Sequence, residues 1–458
     1  MPRARWWVIA ALAVVTVAVV TLDVTGVIFD DPPDPPPPLS LPTGAPADED
    51  RPAAVNPEPG SPDPAMLRRV ERLLGDDDLG RSVHAMVAPL ADPMSPWTER
   101  SAAAAATPAS TLKLWTAAAV LDAFALDERL STSVVWDASS KTLVLIGGGD
   151  ATLRTRATKG AESHHATLTE LARRTARSLD RSGIEQVRVA YDATLFTGPA
   201  VSPDWEPTYV TSGVIAPVTA LMVDQGMIDP PSLARSSDPA ETAAVTYAEL
   251  LDAAGVTVSG RQQSVSVTDH FPDSEEIARV ESPPVGDLVE GMLRDSDNQL
   301  AEALGRLAAE RAGFPASFEG AGYAIEAAAE SRGVDLQRAE IVDASGLSRA
   351  DRLTAAALVD ALHFAASEPD LSPILSGLAV AGFDGTLADR FNQGAAAQAA
   401  GVVRAKTGTL TGISSEAGIT TTCDGTLVSY AFVADAVPDT AAARSVLDRA
   451  AAQLAVCP

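Results

Sequence analysis

Apolar and polar positions follow helical spacing in several segments of the chain and alternate in others. Helical spacing predicts helices over 66–77, 107–126, 165–183, 242–256, 354–367 and 439–455, and a helix–turn–helix over 288–313. Alternation and short apolar runs predict strands over 82–90, 133–137, 142–150, 186–192, 402–410, 414–422 and 426–435. This mixture, with hairpin-like antiparallel strands near the end, predicts an α/β (α+β) fold.

The first part of the chain has a different pattern. Within 1–29, Arg3 and Arg5 precede an apolar run that Asp23 closes, which is typical of a cleaved export signal or a membrane anchor. No A-x-A cleavage site follows the run, which favours the anchor. Either interpretation places the rest of the chain outside the cytoplasmic membrane. The Pro- and Asp-rich segment 30–66 is expected to be an extended, disordered linker.

Composition limits the classes of partner. The chain carries a formal net charge of −27, which argues against nucleic acid because a nucleic-acid binder needs a basic surface. Five histidines show no ligand spacing, so we expect no metal site and no cofactor. The two cysteines, Cys423 and Cys457, fit a disulfide in an oxidising compartment, although two unrelated buried thiols explain them as well.

Lysine is scarce in this chain. Of the 34 basic residues, only four are lysines: Lys113, Lys141, Lys159 and Lys406. An ammonium can lose its proton inside a protein, whereas a guanidinium effectively cannot. Ser110 stands three residues before Lys113 on a predicted helix, so the two side chains share a face, and a lysine of depressed pKa can activate a serine as a nucleophile. Two solvated helix residues would give the same short pattern.

A second short pattern lies in the turn of the predicted helix–turn–helix. Ser296, Asp297 and Asn298 offer a hydroxyl for proton transfer and an amide for a substrate carbonyl. A helix cap uses the same residue types, so this pattern by itself leaves both interpretations open.

A third pattern lies on the strand predicted over 402–410. A lysine beside a hydroxyl suits a substrate carboxylate, and glycine lets another backbone approach closely; the residues are Lys406, Thr407, Gly408 and Thr409. An edge strand with a solvated lysine is the alternative.

The three patterns together are more specific than any of them alone. In the order S-x-x-K, S-D-N, K-T-G they are the elements of serine enzymes that are acylated by penicillin and by D-Ala-D-Ala peptides. The gap between the first two motifs is long, and such an insertion resembles the class C low-molecular-mass penicillin-binding proteins, the D-alanyl-D-alanine carboxypeptidase/endopeptidase family. Four other segments are similar to that family: LIGGGDATL (145–153), APVTALMVD (216–224), VDASGLSRADRLT (342–354) and GFDGTLADRF (382–391).

The resemblance implies a role for each motif residue. Ser110 would be the acylated nucleophile and Lys113 its general base. Ser296 would relay a proton, and Asn298 would hold the peptide carbonyl. The N–H groups of Ser110 and Thr409 would form the oxyanion hole. The K-T-G strand would bind the substrate, with its lysine and threonine at the carboxylate, through Lys406, Thr407, Gly408 and Thr409.

The resemblance also implies an architecture. We expect a β-lactamase/transpeptidase-like domain, an antiparallel sheet between helical layers, formed by 67–140 and 289–458. A smaller inserted region, 141–288, would interrupt it. The insertion is shorter than in well-known family members, so one of their two extra small domains is expected to be reduced or missing.

The implied function is a serine-type D-Ala-D-Ala carboxypeptidase, a D,D-endopeptidase, or both. Its partners would be peptidoglycan stem peptides, β-lactam antibiotics as acylating inhibitors, and the cytoplasmic membrane through the N-terminal segment. Two alternatives stay open: a β-lactamase-like hydrolase and a non-catalytic cell-wall-binding protein.

Overall fold

The computed structural model describes residues 61–157, 164–228, 233–334, 336 and 338–455. The expected anchor or signal segment, most of the expected linker and Cys457 lie outside these ranges. Among the residues described, no helix has the length and apolar character needed to cross a membrane. The first helix begins at Pro64, a favourable first helical residue, so the last three residues assigned to the linker are helical.

The helices and strands are numbered here in chain order. The helices are α1 (Pro64–Leu73), α2 (Lys113–Ala123), α3 (Leu168–Arg181), α4 (Pro239–Ala253), α5 (Val267–His270), α6 (Val285–Arg294), α7 (Asn298–Arg311), α8 (Phe318–Glu330), α9 (Ala355–Ser367), α10 (Ser372–Ser376) and α11 (Thr440–Ala455). The strands are β1 (Ser82–Pro89), β2 (Thr98–Arg100), β3 (Ala105–Ala106), β4 (Arg129–Asp137), β5 (Thr142–Ile146), β6 (Gln186–Asp192), β7 (Thr257–Val258), β8 (Gln263–Ser264), β9 (Glu275–Pro284), β10 (Leu353–Thr354), β11 (Ala379–Val380), β12 (Arg404–Leu410), β13 (Ile413–Thr421) and β14 (Leu427–Asp435).

A six-stranded antiparallel sheet forms the centre of the fold, in the order β11-β12-β13-β14-β1-β2. Alternate residues of a strand point to opposite faces. On β14, Tyr430 and Phe432 therefore pack against α1 and α11, while Ala431 and Val433 pack against the layer that contains α2, α7 and α9. The antiparallel sheet between helical layers that the sequence predicts is confirmed.

Helix α2 lies at the centre of the larger helical layer. Every residue from Lys113 to Leu121 is buried, and the neighbouring helices α6, α7, α8 and α9 share its apolar cluster. A helix that is apolar on all sides must be surrounded by protein. Lys113 is thus fixed at the start of a fully enclosed helix.

The inserted region forms a second sheet, in the order β7-β6-β5-β4-β9, with β8 beside β6. Its core packs against α3 and α4. Strand β4 belongs to this sheet and pairs with both β5 and β9, so the boundary expected between 140 and 141 falls inside the β4–β5 hairpin. The sheet begins at Arg129 and ends at Pro284. Helix α6, which the boundary at 288 would divide, packs with the main helical layer from Val285 onward.

Candidate active site

The three sequence motifs, far apart along the chain, meet at one cleft beside β12. The cleft has a volume of about 660 Å³. Each motif contributes to its wall, through Ser110, Ser296, Asn298, Thr407 and Thr409. The expectation that these short patterns form one constellation therefore agrees with where the structure places them.

Ser110 lies in a short 3₁₀ turn, Ala109–Leu112, that leads directly into α2. Residues i and i+3 of a 3₁₀ turn are eclipsed, which places Lys113 beside Ser110. Ala109 has a φ of 48°, a left-handed conformation that costs a residue other than glycine about 1–3 kcal/mol. Gly346 packs against this bend, and a Cβ at Gly346 would collide with the carbonyl oxygen of Ala109. The backbone before the serine is therefore held in a strained shape by a close neighbour.

The Lys113 ammonium is completely buried and fully hydrogen-bonded. Its Nζ donates to Ser110 Oγ at 3.0 Å, to Asn298 Oδ1 at 2.8 Å and to the carbonyl oxygen of Ser345 at 2.5 Å. Burial removes water from the ammonium and lowers the pKa of Lys113 from 10.5 to about 8, against the opposing charges of Asp343 and Glu302. At pH 7 roughly a tenth of the molecules carry the neutral amine, a much larger fraction than for an exposed lysine.

The Ser-Asp-Asn motif forms the turn between α6 and α7. Asp297 is the N-cap of α7 and its carboxylate accepts from Leu300 N at 3.0 Å, so the helix-cap interpretation holds for this residue. Ser296 has a φ of 58°, also left-handed. Capping and catalysis do not compete here, because the cap uses Asp297 while Ser296 and Asn298 line the cleft.

Strand β12 carries the Lys-Thr-Gly motif. Lys406 is fully buried, and its Nζ donates to Ser296 Oγ at 2.9 Å and to the carbonyl oxygen of Thr407 at 2.7 Å. Burial, with the nearby charges of Lys113 and Arg390, lowers the pKa of Lys406 well below its ordinary value. Two serine–lysine pairs, Ser110–Lys113 and Ser296–Lys406, thus stand at the same cleft.

Gly408 lets β12 approach Ser110 closely. A Cβ at Gly408 would lie 2.8 Å from the carbonyl oxygen of Pro108 and 2.9 Å from Ser110 N. Strand β11 pairs only with Arg404 and Ala405, so beyond these two residues that edge of β12 has no strand partner among the described residues. The absence of a side chain at Gly408 and the free edge bring the backbone of β12 next to Ser110.

Two buried carboxylates, neither of them in the three sequence motifs, organise the loop that supplies the Ser345 carbonyl. Asp343 accepts from Ser345 N at 3.0 Å, from Gly346 N at 2.6 Å and from Trp205 Nε1 at 2.7 Å. Glu302, one turn after Asn298 on α7, accepts from Ser345 N at 2.8 Å. Burial, reinforced by Asp343, raises the pKa of Glu302 to about 8.

Arg390 also lines the cleft and was assigned no role from the sequence. The only available signal was its place in GFDGTLADRF (382–391), one of the segments that are similar to the family. A solitary arginine in a loop carries no local pattern, so only the structure shows that it reaches the cleft. Away from the cleft, Cys423 is disulfide-bonded, and Cys457, the other cysteine of the chain, lies outside the described residues.

Comparison with known proteins agrees with this geometry. The chain matches the D-Ala-D-Ala carboxypeptidase 3 (S13) family over residues 66–232 and 229–455. It belongs to this family. The D-alanyl-D-alanine carboxypeptidase family, the transpeptidase-like fold and the enzyme class expected from the sequence, D-Ala-D-Ala carboxypeptidase, are thereby confirmed.

Carboxypeptidase DacB of Mycolicibacterium smegmatis is 36% identical over 78% of this chain and 77% of its own length. Carboxypeptidase Rv3627c of Mycobacterium tuberculosis is 36% identical over 76% of this chain and 75% of its own length. Penicillin binding protein 4 of Haemophilus influenzae has a similar structure, with a TM-score of 0.68 and 18% identity over 83% of this chain and 97% of that chain. It has also been solved in complex with a β-lactam.

Proposed function

We propose that this carboxypeptidase is a serine enzyme that cleaves the D-Ala-D-Ala end of peptidoglycan stem peptides through an acyl-enzyme on Ser110. The observation that carries the proposal is the contact between Lys113 Nζ and Ser110 Oγ, at 3.0 Å, in a site where burial lowers the lysine pKa to about 8. A lysine of this kind can be neutral and accept the serine proton near physiological pH.

In the acylation step, neutral Lys113 takes the proton of Ser110 as Oγ attacks the carbonyl carbon between the two D-alanines. The developing oxyanion is held by the N–H groups of Ser110 and Thr409, because β12 approaches Ser110 N closely at Gly408, the residue before Thr409. Asn298 orients the peptide carbonyl. The C–N bond then breaks and the terminal D-alanine leaves as its amine.

The leaving amine needs a proton. Ser296 Oγ faces the cleft and accepts from Lys406 Nζ at 2.9 Å, so this pair supplies that proton through the serine hydroxyl. Water then hydrolyses the ester on Ser110, and the same groups return the protons. Thr407 and Thr409 offer hydroxyls to the C-terminal carboxylate of the substrate.

Inhibition by β-lactams follows from the same chemistry. A β-lactam presents a cyclic amide to Ser110, so the amine that is released when the ring opens stays attached to the adduct. The likeness to a penicillin-binding protein solved with a β-lactam supports this part of the proposal. D,D-endopeptidase activity is the second candidate. The cleft favours it, because it continues past the motif residues to Arg444 on α11 and has room for a leaving group larger than one D-alanine.

An extracytoplasmic location, with residues 1–29 as the membrane anchor, remains part of the proposal. It rests on Arg3, Arg5 and the apolar run that follows them. Cell fractionation of the full chain and of a chain that begins at residue 30 tests it. We expect the full chain in the membrane fraction, and recovery of both chains in the cytosol would contradict the proposal.

Intact mass measurement after incubation with benzylpenicillin tests the acyl-enzyme. We expect a long-lived adduct on the protein and none on Ser110→Ala. Rapid release of the adduct with turnover of the drug would indicate a β-lactamase. Binding of cell-wall fragments that is indifferent to Ser110→Ala, with no adduct on either protein, would indicate a non-catalytic binder.

A further inference from the structure

The substrate of the proposed reaction ends in a carboxylate, and the lysine expected to meet it is not accessible. Lys406 is fully buried, and its Nζ already donates to Ser296 Oγ and to the carbonyl oxygen of Thr407. Burial and the neighbouring cations hold its pKa well below the ordinary range. A buried amine whose hydrogen bonds go to Ser296 and to its own strand suits proton transfer better than direct contact with an anion in the cleft. The positive charge for the carboxylate must come from elsewhere.

Arg390 lies on the cleft wall beside Thr407. Thr386, four residues before Arg390, accepts a hydrogen bond from Thr407 Oγ1 at 2.9 Å. On the partner strand β13, Glu416 stands directly opposite Thr407, and Arg390 Nη2 donates to this glutamate at 2.7 Å. The loop that carries Arg390 therefore contacts Thr407 through Thr386, and the carboxylate that Arg390 binds lies on the residue paired with Thr407.

The guanidinium of Arg390 is held by carboxylates at Nε and Nη2 only, and we call these hydrogen bonds the brace. Its Nε and Nη2 donate to Asp448, and Nη2 also donates to Glu416. Glu416 is held in turn by Tyr430 Oη at 2.8 Å. For Nη1, the described residues provide no acceptor. Because the guanidinium is planar, the brace fixes the directions of the two Nη1 N–H groups.

Glu416 and Asp448 do not together place two full negative charges beside the positive charge of Arg390. Glu416 is completely buried, and burial raises its pKa to about 7 although Arg390 opposes the shift. Glu416 is therefore partly protonated at neutral pH, and the network does not carry two full negative charges against one positive charge. A preorganised donor pair on a charged group is a strong partner for a carboxylate.

We propose that Arg390 binds the C-terminal carboxylate of the substrate through its Nη1 donors, beside the hydroxyl of Thr407. The inference rests on the proposed function, since it assigns a binding role at the same cleft. Arg444 is the other cation on the cleft wall, but its side chain is exposed and it has no ion pair among the described residues. An unbraced arginine loses more conformational entropy on binding a ligand than a braced one.

The test compares two acylating agents that differ only in the carboxylate: benzylpenicillin and its methyl ester. The rate of adduct formation on Ser110 is measured for each by intact mass, and the ratio of the two rates reports recognition of the carboxylate. We expect the protein to react faster with the acid than with the ester. Loss of the contact with Arg390 should lower the ratio of the two rates about ten- to hundredfold, which is the range for a hydrogen bond to a charged group.

Arg390→Gln is made together with Glu416→Gln, so that Glu416, the completely buried one of its two carboxylate partners, is not left without its cation. The double variant is expected to lose most of the preference for the acid and to keep its reaction with the ester. Arg390→Lys provides a second variant that keeps the charge but lacks the braced fork, and we expect it to lose most of the preference as well. Arg449→Gln is the matched control, because it removes a positive charge next to Asp448 on α11 but outside the cleft wall, and it should leave the ratio unchanged.

Three results would overturn the assignment. One is a folded double variant, or a folded Arg390→Lys, with the full preference for the acid. Another is an equal loss of preference in Arg444→Gln, which would assign recognition to that residue or to diffuse charge. A third is no adduct from either agent on the unaltered protein, which rejects the proposed function itself and the inference with it.

Discussion

Replacing Gly408 with alanine tests whether the spacing between β12 and the nucleophile controls the reaction. A Cβ at this position would stand 2.8 Å from the carbonyl oxygen of Pro108 and 2.9 Å from Ser110 N, and it would also collide with Ser415 Oγ. Ser415 can rotate away, at the cost of its 2.6 Å hydrogen bond to Pro108. The two backbone atoms have no such freedom.

The size of the effect follows from these distances. Ordinary van der Waals contact begins at 3.4 Å, so β12 and the segment before α2 must separate by about half an ångström. This movement displaces Thr409 N from Ser110 N and spoils the oxyanion hole, for which loss of one donor costs about 10²–10³ in rate. Overpacking of the core should lower the free energy of unfolding by about 1–3 kcal/mol.

The assay is the rate of adduct formation with benzylpenicillin, together with thermal unfolding. The matched control is Gly291→Ala inside α6, where a Cβ would meet only Arg294 Nη2 at 4.0 Å. That variant should keep its rate and gain about 0.5–1 kcal/mol from helix propensity.

The double variant Gly408→Ala/Ser415→Ala separates the contacts. Removing Ser415 Oγ relieves one collision and leaves the two backbone contacts, so we expect no recovery of rate. If the double variant regains the original rate, the collision with Ser415 is the whole effect. The distance between β12 and Ser110 would then not limit the rate.

Three further predictions concern charge, the buried loop and the disulfide. With Lys113 as the base and its pKa at about 8, the acylation rate should rise about tenfold per pH unit up to about pH 8 and then level off. Lys113→Arg should lose about 10²–10⁴ in rate at every pH. A rate that does not change with pH would exclude Lys113 as the base. Asp343→Asn places an NH₂ group among N–H donors, so it should lower the free energy of unfolding by about 1–3 kcal/mol. Thermal unfolding would show this loss as a lower midpoint temperature, and an unchanged midpoint would contradict the role of this carboxylate. A bond between Cys423 and Cys457 would close a loop of about 35 residues, so reduction should cost up to about 4 kcal/mol, and a peptide map that pairs neither cysteine would contradict it.

Much of the fold was predictable because its elements carry strong local patterns. Strands β1 and β14 are short, largely apolar runs bounded by polar residues, helix α2 is a long apolar segment, and α7 has helical apolar spacing. Strand β9 was missed because it is rich in glutamate and ends in two prolines, which are typical of a loop or an edge strand. Helix α8 was missed because alanine and glycine dominate it, so its sequence has no strong apolar spacing.

The residues of the site also divide into those that the sequence can reveal and those that it cannot. Ser110, Lys113, Ser296, Asn298 and the K-T-G strand stand in short motifs whose chemistry requires particular residue types, so a sequence can reveal them. Asp343, Glu302 and Arg390 act through contacts between segments that are distant in the chain. An isolated acidic or basic residue has many surface interpretations. What distinguishes these three is burial beside the motif residues, which only the folded chain shows.

The hydrogen bond from Trp205 to Asp343 bears on how this family can be engineered and how it can evolve. Trp205 belongs to the inserted region, yet its indole N–H completes the carboxylate that shapes the loop around Lys113. A chimaera that carries the insertion of a relative would therefore need an indole N–H donor at the position of Trp205. A chimaera without it would keep every motif residue and still lose a contact that shapes the loop around Lys113. The insertion is better regarded as a structural part of the cleft than as an interchangeable module.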